Sequence, residues 1–233
     1  MPKMKKITKK KLKEPDEFIS LTEKIYLFIS HHSKFIMMGG IAVLVIFSFL
    51  FVYNRWERRN EEEAYQNFRS AVEIYQMVDS QYGEGSVSEY KDVLEKFNKI
   101  ITTFSRTPSG KFALLYKGNI LLRLGEFEEA TKSYQAFLKK AGKEELYRLF
   151  AWGGLGYSYE GKRDYEKAIQ VYRKITEEGG SLERSNAYLN MGRCYEKLGK
   201  NKEALGNYKA FLKETPKSMM ANVVLRKISI LEH

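Results

Sequence analysis

Three segments of the chain carry one pattern of large and small residues, and that recurrence constrains the fold more than any other feature. The clearest copy is AWGGLGYSYEGKRDYEKAIQVYRKI; it returns upstream as LLYKGNILLRLGEFEEATKSYQAFL and downstream as AYLNMGRCYEKLGKNKEALGNYKAFL. Aligning Ala130, Ala168 and Ala204 gives spacings of 38 and 36 residues. A period in this range implies helix pairs, each unable to bury its apolar side alone and therefore stacked on its neighbours. In every copy a glycine of the first helix (Gly118, Gly156, Gly192) is expected to meet the alanine of the second, so that the two can cross closely while aromatics fill the surrounding space. With 43% hydrophobic residues and only four prolines, the rest of the chain also favours helix. The expected fold class is all-α.

The pattern resembles the tetratricopeptide repeat (TPR) over roughly residues 111–218. In the central copy Trp152, Leu155, Gly156, Tyr159, Tyr165, Ala168 and Tyr172 fall at the family's large and small positions in order. The third copy offers Tyr188, Met191, Gly192, Tyr195, Ala204, Tyr208 and Pro216, and the first Leu114, Gly118, Leu121, Phe127, Ala130 and Tyr134. Asn201 stands where an aromatic is expected, and Lys117 replaces an apolar residue. Gly125 and Gly199 sit where a first helix must end in a left-handed turn, and Thr215 with Pro216 is expected to start a final helix as N-cap and first residue. Along that helix Met219, Val223, Leu225, Ile228 and Leu231 are expected to cap the last repeat.

Ahead of the repeats, Phe35 to Asn54 contains no charged residue. As a helix this run rises about 28 Å, the thickness of a bilayer's hydrocarbon core. It ends in Tyr53, Asn54, Arg55 and Trp56 rather than a small-x-small cleavage site, so it reads as an uncleaved anchor with interfacial aromatics. The five expected regions are a basic tail with an amphipathic segment at 1–34, a transmembrane helix at 35–54, a juxtamembrane helix with a degenerate repeat at 55–110, three TPR repeats at 111–218 and a capping helix at 219–233. In the tail, Phe18, Leu21, Ile25, Phe28 and Ile29 are helically spaced; the segment either lies on the inner leaflet or simply leads into the anchor. The degenerate repeat is expected from Ala64, Phe68, Ala71, Val72 and Tyr75, then Tyr90, Val93, Phe97 and Ile100. A dimerising coiled coil from Arg55 to Met77 is the rival, so a homodimer stays open.

The net charge of +11 raises the question of nucleic acid. Residues 1–34 hold nine lysines against four acids, leaving about +6 on the remainder, with signs interspersed as on a solvated helical surface. Nucleic acid is not an expected partner. Nine lysines before the anchor place the N-terminus in the cytoplasm by the positive-inside bias and the C-terminal domain outside, although Arg55, Arg58 and Arg59 lie closer to the membrane on the other side. In a two-membrane bacterium the outside is the periplasm.

No catalytic constellation is present: the chain has no phosphate-binding GxxxxGK[ST] loop, no paired cysteines and no HExxH. Cys194 reads as a packing residue, and His31 and His32 as interfacial polar residues. An enzyme, a cofactor and a metal are all unexpected. The resemblance implies instead a concave groove formed by the first helices, with Asn119, Leu122, Arg123, Tyr157, Glu160, Asn186, Leu189, Arg193, Glu196 and Lys197 as candidate partner-binding residues. The subset of TPR domains that clamps a terminal carboxylate is disfavoured, because Leu115, Gly154 and Asn190 mismatch its pattern. In whole architecture the chain resembles the bacterial TPR-containing ancillary subunit of the Sec translocon. That implies an inner-membrane interaction module in secretion or periplasmic quality control, with translocon subunits, chaperones or emerging polypeptides as partners. A scaffold for another envelope complex is the alternative, and a nucleic-acid-binding protein the more distant one.

Overall fold

A computed structural model describes residues 17–80, 86–142 and 145–232, with side chains from residue 21 onward. Among these the chain is all-α: nine helices and no strand, namely α1 (Glu17–Ser80), α2 (Val87–Thr103), α3 (Pro108–Arg123), α4 (Phe127–Lys140), α5 (Glu145–Gly161), α6 (Tyr165–Glu178), α7 (Ser181–Lys197), α8 (Asn201–Glu214) and α9 (Ala221–Leu231). The chain divides into two compact units, Met1–Arg58 and Arg59–His233.

In the first unit, α1 is the one helix among the described residues long and apolar enough to cross a membrane. Phe35, Leu44, Phe47 and Phe51 are each about two-thirds exposed or more, with no protein over them. Leu21, Ile25, Phe28 and Ile29 are exposed too, while Phe18 and the lysines from Lys3 to Lys13 lie outside the residues whose side chains are described. The Phe28 and His32 rings stack at 4.5 Å.

The second unit is a row of antiparallel helix pairs, α3 with α4, α5 with α6 and α7 with α8, each packed on the next. Local chemistry sets the ends of these helices. Ser86 and Glu89 form a reciprocal capping box at α2, and the Asp164 carboxylate caps α6 by accepting from the Lys167 backbone N–H. The first helices of two pairs stop at Gly125 and Gly199, whose φ of 73° and 69° suits glycine. The corresponding turn after α5 places Arg163 at φ 60°, a left-handed conformation that disfavours a side chain.

Two expectations about helix ends are corrected. A Thr-Pro start does occur, but at Thr107–Pro108, where the Thr107 hydroxyl accepts from Gly110 N–H and opens α3. Thr215 is instead the C-cap of α8, its hydroxyl within 2.5 Å of Ser185 Oγ. Pro216 therefore lies in the turn that follows, and α9 begins only at Ala221, after Met220. Its register also differs: Val224 and Ile228 are buried and Leu231 half-buried, but Met219, Val223 and Leu225 face outward.

The cores repeat along the row. Ala130, Ala168 and Ala204 are fully buried, as are Tyr134, Tyr172 and Tyr208. Trp152 is buried, and Tyr165 packs half-buried on the same core. At each crossing the atoms nearest the glycine belong to a tyrosine ring of the second helix. A Cβ added at Gly118, Gly156 or Gly192 would sit 2.7, 2.3 or 2.5 Å from a ring carbon of Tyr134, Tyr172 or Tyr208 respectively. Each glycine thus makes room for a ring worth about 2 kcal/mol or more when buried. The part of α1 from Arg59 onward joins the same unit: Ala64, Ala71 and Val78 are buried with Tyr90, Val93, Phe97 and Ile100 of α2. The side chains that would form the seam of a coiled coil face α2 and α3 instead, with Phe68 edge-on to Phe97 and Tyr116.

Candidate functional site

Helices α3, α5 and α7 bound a groove of about 850 Å³, within the size range of ligand sites. Its apolar half comes from the first turns of α5 and α7 together with α3: Phe112, Leu146, Tyr147, Phe150 and Leu182. Leu146, Phe150 and Leu182 are each more than half exposed, an unusual state for large apolar side chains gathered in one concavity. Its polar half carries the amides Asn119, Asn186 and Asn190 and the Tyr157 hydroxyl. Asn190 Nδ2 donates to Tyr157 Oη at 3.2 Å.

The ten candidate residues separate into groups. Asn119, Leu122, Tyr157 and Asn186 line the main groove, and Arg123 joins the first three in a smaller adjacent hollow. Glu160 and Arg193 bond to one another, with Arg193 Nε and Nη2 donating to the carboxylate at 2.9 and 2.8 Å. Glu196 accepts from Lys227 Nζ at 2.6 Å and from Tyr208 Oη. Leu189 packs half-buried against the C-terminal core, and Lys197 stands exposed at the end of α7.

These ion pairs belong to a recurring device. The buried Tyr172 donates its hydroxyl to Glu160 at 2.7 Å, and Glu160 then takes Arg193 of the next helix pair. Tyr208, Glu196 and Lys227 repeat the arrangement toward α9. So do Tyr90, Asp79 and Arg123 at the junction of α1, α2 and α3, with Tyr90 Oη donating at 3.0 Å and Arg123 lying 3.1 Å away. At the junction of α3, α4 and α5, Tyr134 donates to the neutral Asn119 at 2.6 Å. Leu122 and Tyr157 occupy the places that Glu160 and Arg193 hold one repeat later.

Electrostatics follow from these contacts. Burial first, and then the Glu160 carboxylate, raise the Tyr172 hydroxyl well above the ordinary phenol range, so it stays a donor. Burial opposes the Glu196 charge, but bonds from Lys227 and Tyr208 outweigh it and hold the carboxyl below its usual value. The bond to Glu160 raises Arg193 further. Burial pushes the Cys194 thiol up to about 12, leaving it protonated and unreactive at neutral pH. Among the described residues no group of three metal-ligating side chains comes together.

Residues missed from sequence were Phe112, Leu146, Tyr147, Phe150, Gly153 and Leu182. A signal was present: Leu146, Phe150, Gly153 and Tyr157 follow one another at four, three and four residues, a single face of α5.

The tetratricopeptide repeat-like domain family matches residues 27–233. A TPR repeat-containing protein of Methanocaldococcus jannaschii is 32% identical over 117 residues, covering 47% of this chain and 19% of that protein. The chain therefore spans about a fifth of that relative's length. Among solved structures, a tetratricopeptide repeat protein from Parabacteroides merdae superposes with a TM-score of 0.57 at 20% identity, covering 72% of this chain and 60% of that one. MamA AMB-1 superposes with a TM-score of 0.51 at 17% identity, covering 71% and 85%. Likeness at such identities shows the shared solenoid alone.

Proposed function

The chain belongs to the tetratricopeptide repeat-like domain family, and from that premise we propose that it is a membrane-anchored module whose groove holds a segment of another polypeptide without carrying out chemistry on it. The observation that carries this reading is the groove between α3, α5 and α7, in which exposed aromatic and aliphatic side chains adjoin the amides Asn119, Asn186 and Asn190. Such a surface gains by covering apolar area, at about 25 cal/mol per Å² removed from water, while the amides fix orientation. Nothing in it resembles an acid–base pair or an activated nucleophile.

The uncovered apolar surface of residues 35–54 supports a lipid environment for that stretch, because water would be a poor solvent for it. The lysine surplus ahead of it supports a cytoplasmic N-terminus and a periplasmic repeat domain at the inner membrane. Tethering would raise the local concentration of groove and partner, so weak binding suffices. On this reading the partners are translocon subunits, chaperones or chains emerging from the Sec machinery.

Site-specific photo-crosslinking in living cells tests the reading, with the probe at Asn186 in the groove and, as control, at exposed Lys139 on α4. Crosslinks from Asn186 but not Lys139 to secretion components or exported chains are the expected result. Recovery only of self-contacts or of unrelated envelope proteins would sink the secretion role in favour of a scaffold. An exported-only reporter fused after His233 that stayed inactive would remove the periplasmic placement.

A further inference from the structure

Two neighbouring glycines in the groove have different reasons to be there. At Gly154 an added Cβ would lie 2.2 Å from Tyr134 Cζ, so the fold itself demands glycine. At Gly153 an added Cβ meets nothing within 4 Å, and the open space above it is the groove. Glycine inside a helix is less favourable than alanine; packing gives no reason for it at 153, where its effect is to leave bare backbone between Phe150 and Tyr157.

The charges around the groove narrow what fits. Among the described residues that line it, Glu183 is the one carboxylate and there is no Lys, Arg or His. Arg123, in the adjacent hollow, and Arg193 are already paired with Asp79 and Glu160, while Lys111 on α3 sits over the Phe112 ring at 5.1 Å. An acidic segment would therefore face Glu183 and find no counter-charge among the described lining residues, which is unfavourable. The amides point to main chain: Asn186 is exposed and makes no side-chain hydrogen bond among the described residues, and Asn119 accepts from Tyr134 through Oδ1, leaving its Nδ2 available. An extended strand presents its N–H and C=O groups to such amides, whereas a helix has already used its own.

From these observations we infer that the occupant is an extended, uncharged stretch of polypeptide bearing large apolar side chains, one of which packs on the bare backbone at Gly153. This rests on the groove being a polypeptide site. In an extended segment alternate side chains face one way, so a row of such residues can lie along Phe112, Phe150 and Leu182 while the main chain meets the amides.

The test uses the full chain purified in detergent and three fluorescent peptides: one alternating Leu or Phe with Ser, the same residues permuted to helical spacing, and the alternating peptide with Glu in place of two Ser. The alternating peptide should bind best by anisotropy, with the acidic version at least about tenfold weaker. Gly153→Leu should weaken the alternating peptide by about tenfold or more while the melting temperature holds or rises, since leucine is a better helix former and has room. Preference for the helical peptide, or equal binding by Gly153→Leu with an unchanged melt, overturns the inference. Crosslinking from Asn186 separates this failure from the larger one: if Asn186 still captures secretion partners in the Gly153→Leu chain, the groove reading stands and the extended, apolar occupant does not. If none of the three peptides binds and Asn186 captures no partner, both fall.

Discussion

The junction between the second and third helix pairs and the junction between the first and second use one position in opposite ways. In the former, Glu160 gathers the hydroxyl of Tyr172 and the guanidinium of Arg193, so that a buried tyrosine, an acid and a cation tie one repeat to the next. In the latter, Tyr134 finds only the neutral Asn119, and Leu122 and Tyr157 stand where the charges would be. The groove opens along this neutral junction. Ion pairs that hold repeats together also fill the concave face with groups already satisfied by one another. Where they are missing, that face stays free to satisfy a partner.

The sharpest way to break the comparison is Glu160→Ala. It removes three hydrogen bonds at once and leaves Arg193 beside the Tyr157 ring without its acid. Losing one side of a buried pair costs about 3–5 kcal/mol, but the Arg193 side chain is 39% exposed, so solvent screening reduces the expected loss to about 2 kcal/mol. Stability in a stacked solenoid is nearly a sum of repeat and neighbour contributions. Urea unfolding should therefore show α7 to α9 melting ahead of the rest; one unchanged transition would mean that the charges do not couple the repeats.

A smaller effect is expected at the last junction. Glu196→Gln keeps an acceptor for Tyr208 but removes the charge facing Lys227, an exchange worth about 1 kcal/mol or less for a partly exposed pair. Its pH dependence is the useful measurement. The folded carboxyl lies below its ordinary value of 4.5, so its contribution is complete above that value and disappears as pH falls through the depressed folded pKa. The gap in melting temperature between wild type and Glu196→Gln should be widest near neutrality and shrink below about pH 4.5. A gap that grows on acidification would reverse the assigned sign.

How much of this was readable from the amino acids differs from feature to feature. The helix pairs were legible because Gly156, Ala168 and Tyr172 recur at fixed offsets, and steric demands on small and large residues survive when all else changes. That Gly156 faces the Tyr172 ring was not, since both small residues of a crossing look alike until the rotamer of the large one is known. The register of α9 was lost because Val223, Val224 and Leu225 are consecutive, so the apolar arc covers most of the helix and packing on α8 alone selects Val224. Glu160 and Arg193 illustrate the harder limit. A charged residue due to face a concave surface reads the same whether it awaits a partner or a neighbour 33 residues along the chain. The left-handed turn after α5 was equally hidden, because Arg163 stands where its two counterparts are glycine.

The comparison is sharpened most by moving the charged device into the neutral junction. Glu160 and Leu122 each lie four residues beyond the recurring glycine of their repeat, and Arg193 and Tyr157 each one residue beyond theirs. Position 122 is one turn beyond Asn119 on the same face of α3, within reach of the Tyr134 hydroxyl by the i, i+3 geometry of a helix. Leu122→Glu alone should destabilise, since a carboxylate replaces a half-buried apolar side chain. Adding Tyr157→Arg should recover about 0.5–1 kcal/mol beyond the sum of the single changes, the coupling expected of a partly exposed pair. The double variant should also lose affinity for an apolar peptide, because its groove has acquired two charges satisfied by each other. A double-mutant cycle that closes within error, with peptide binding intact, would show that the neutral junction is an accident of sequence and that the groove owes nothing to it.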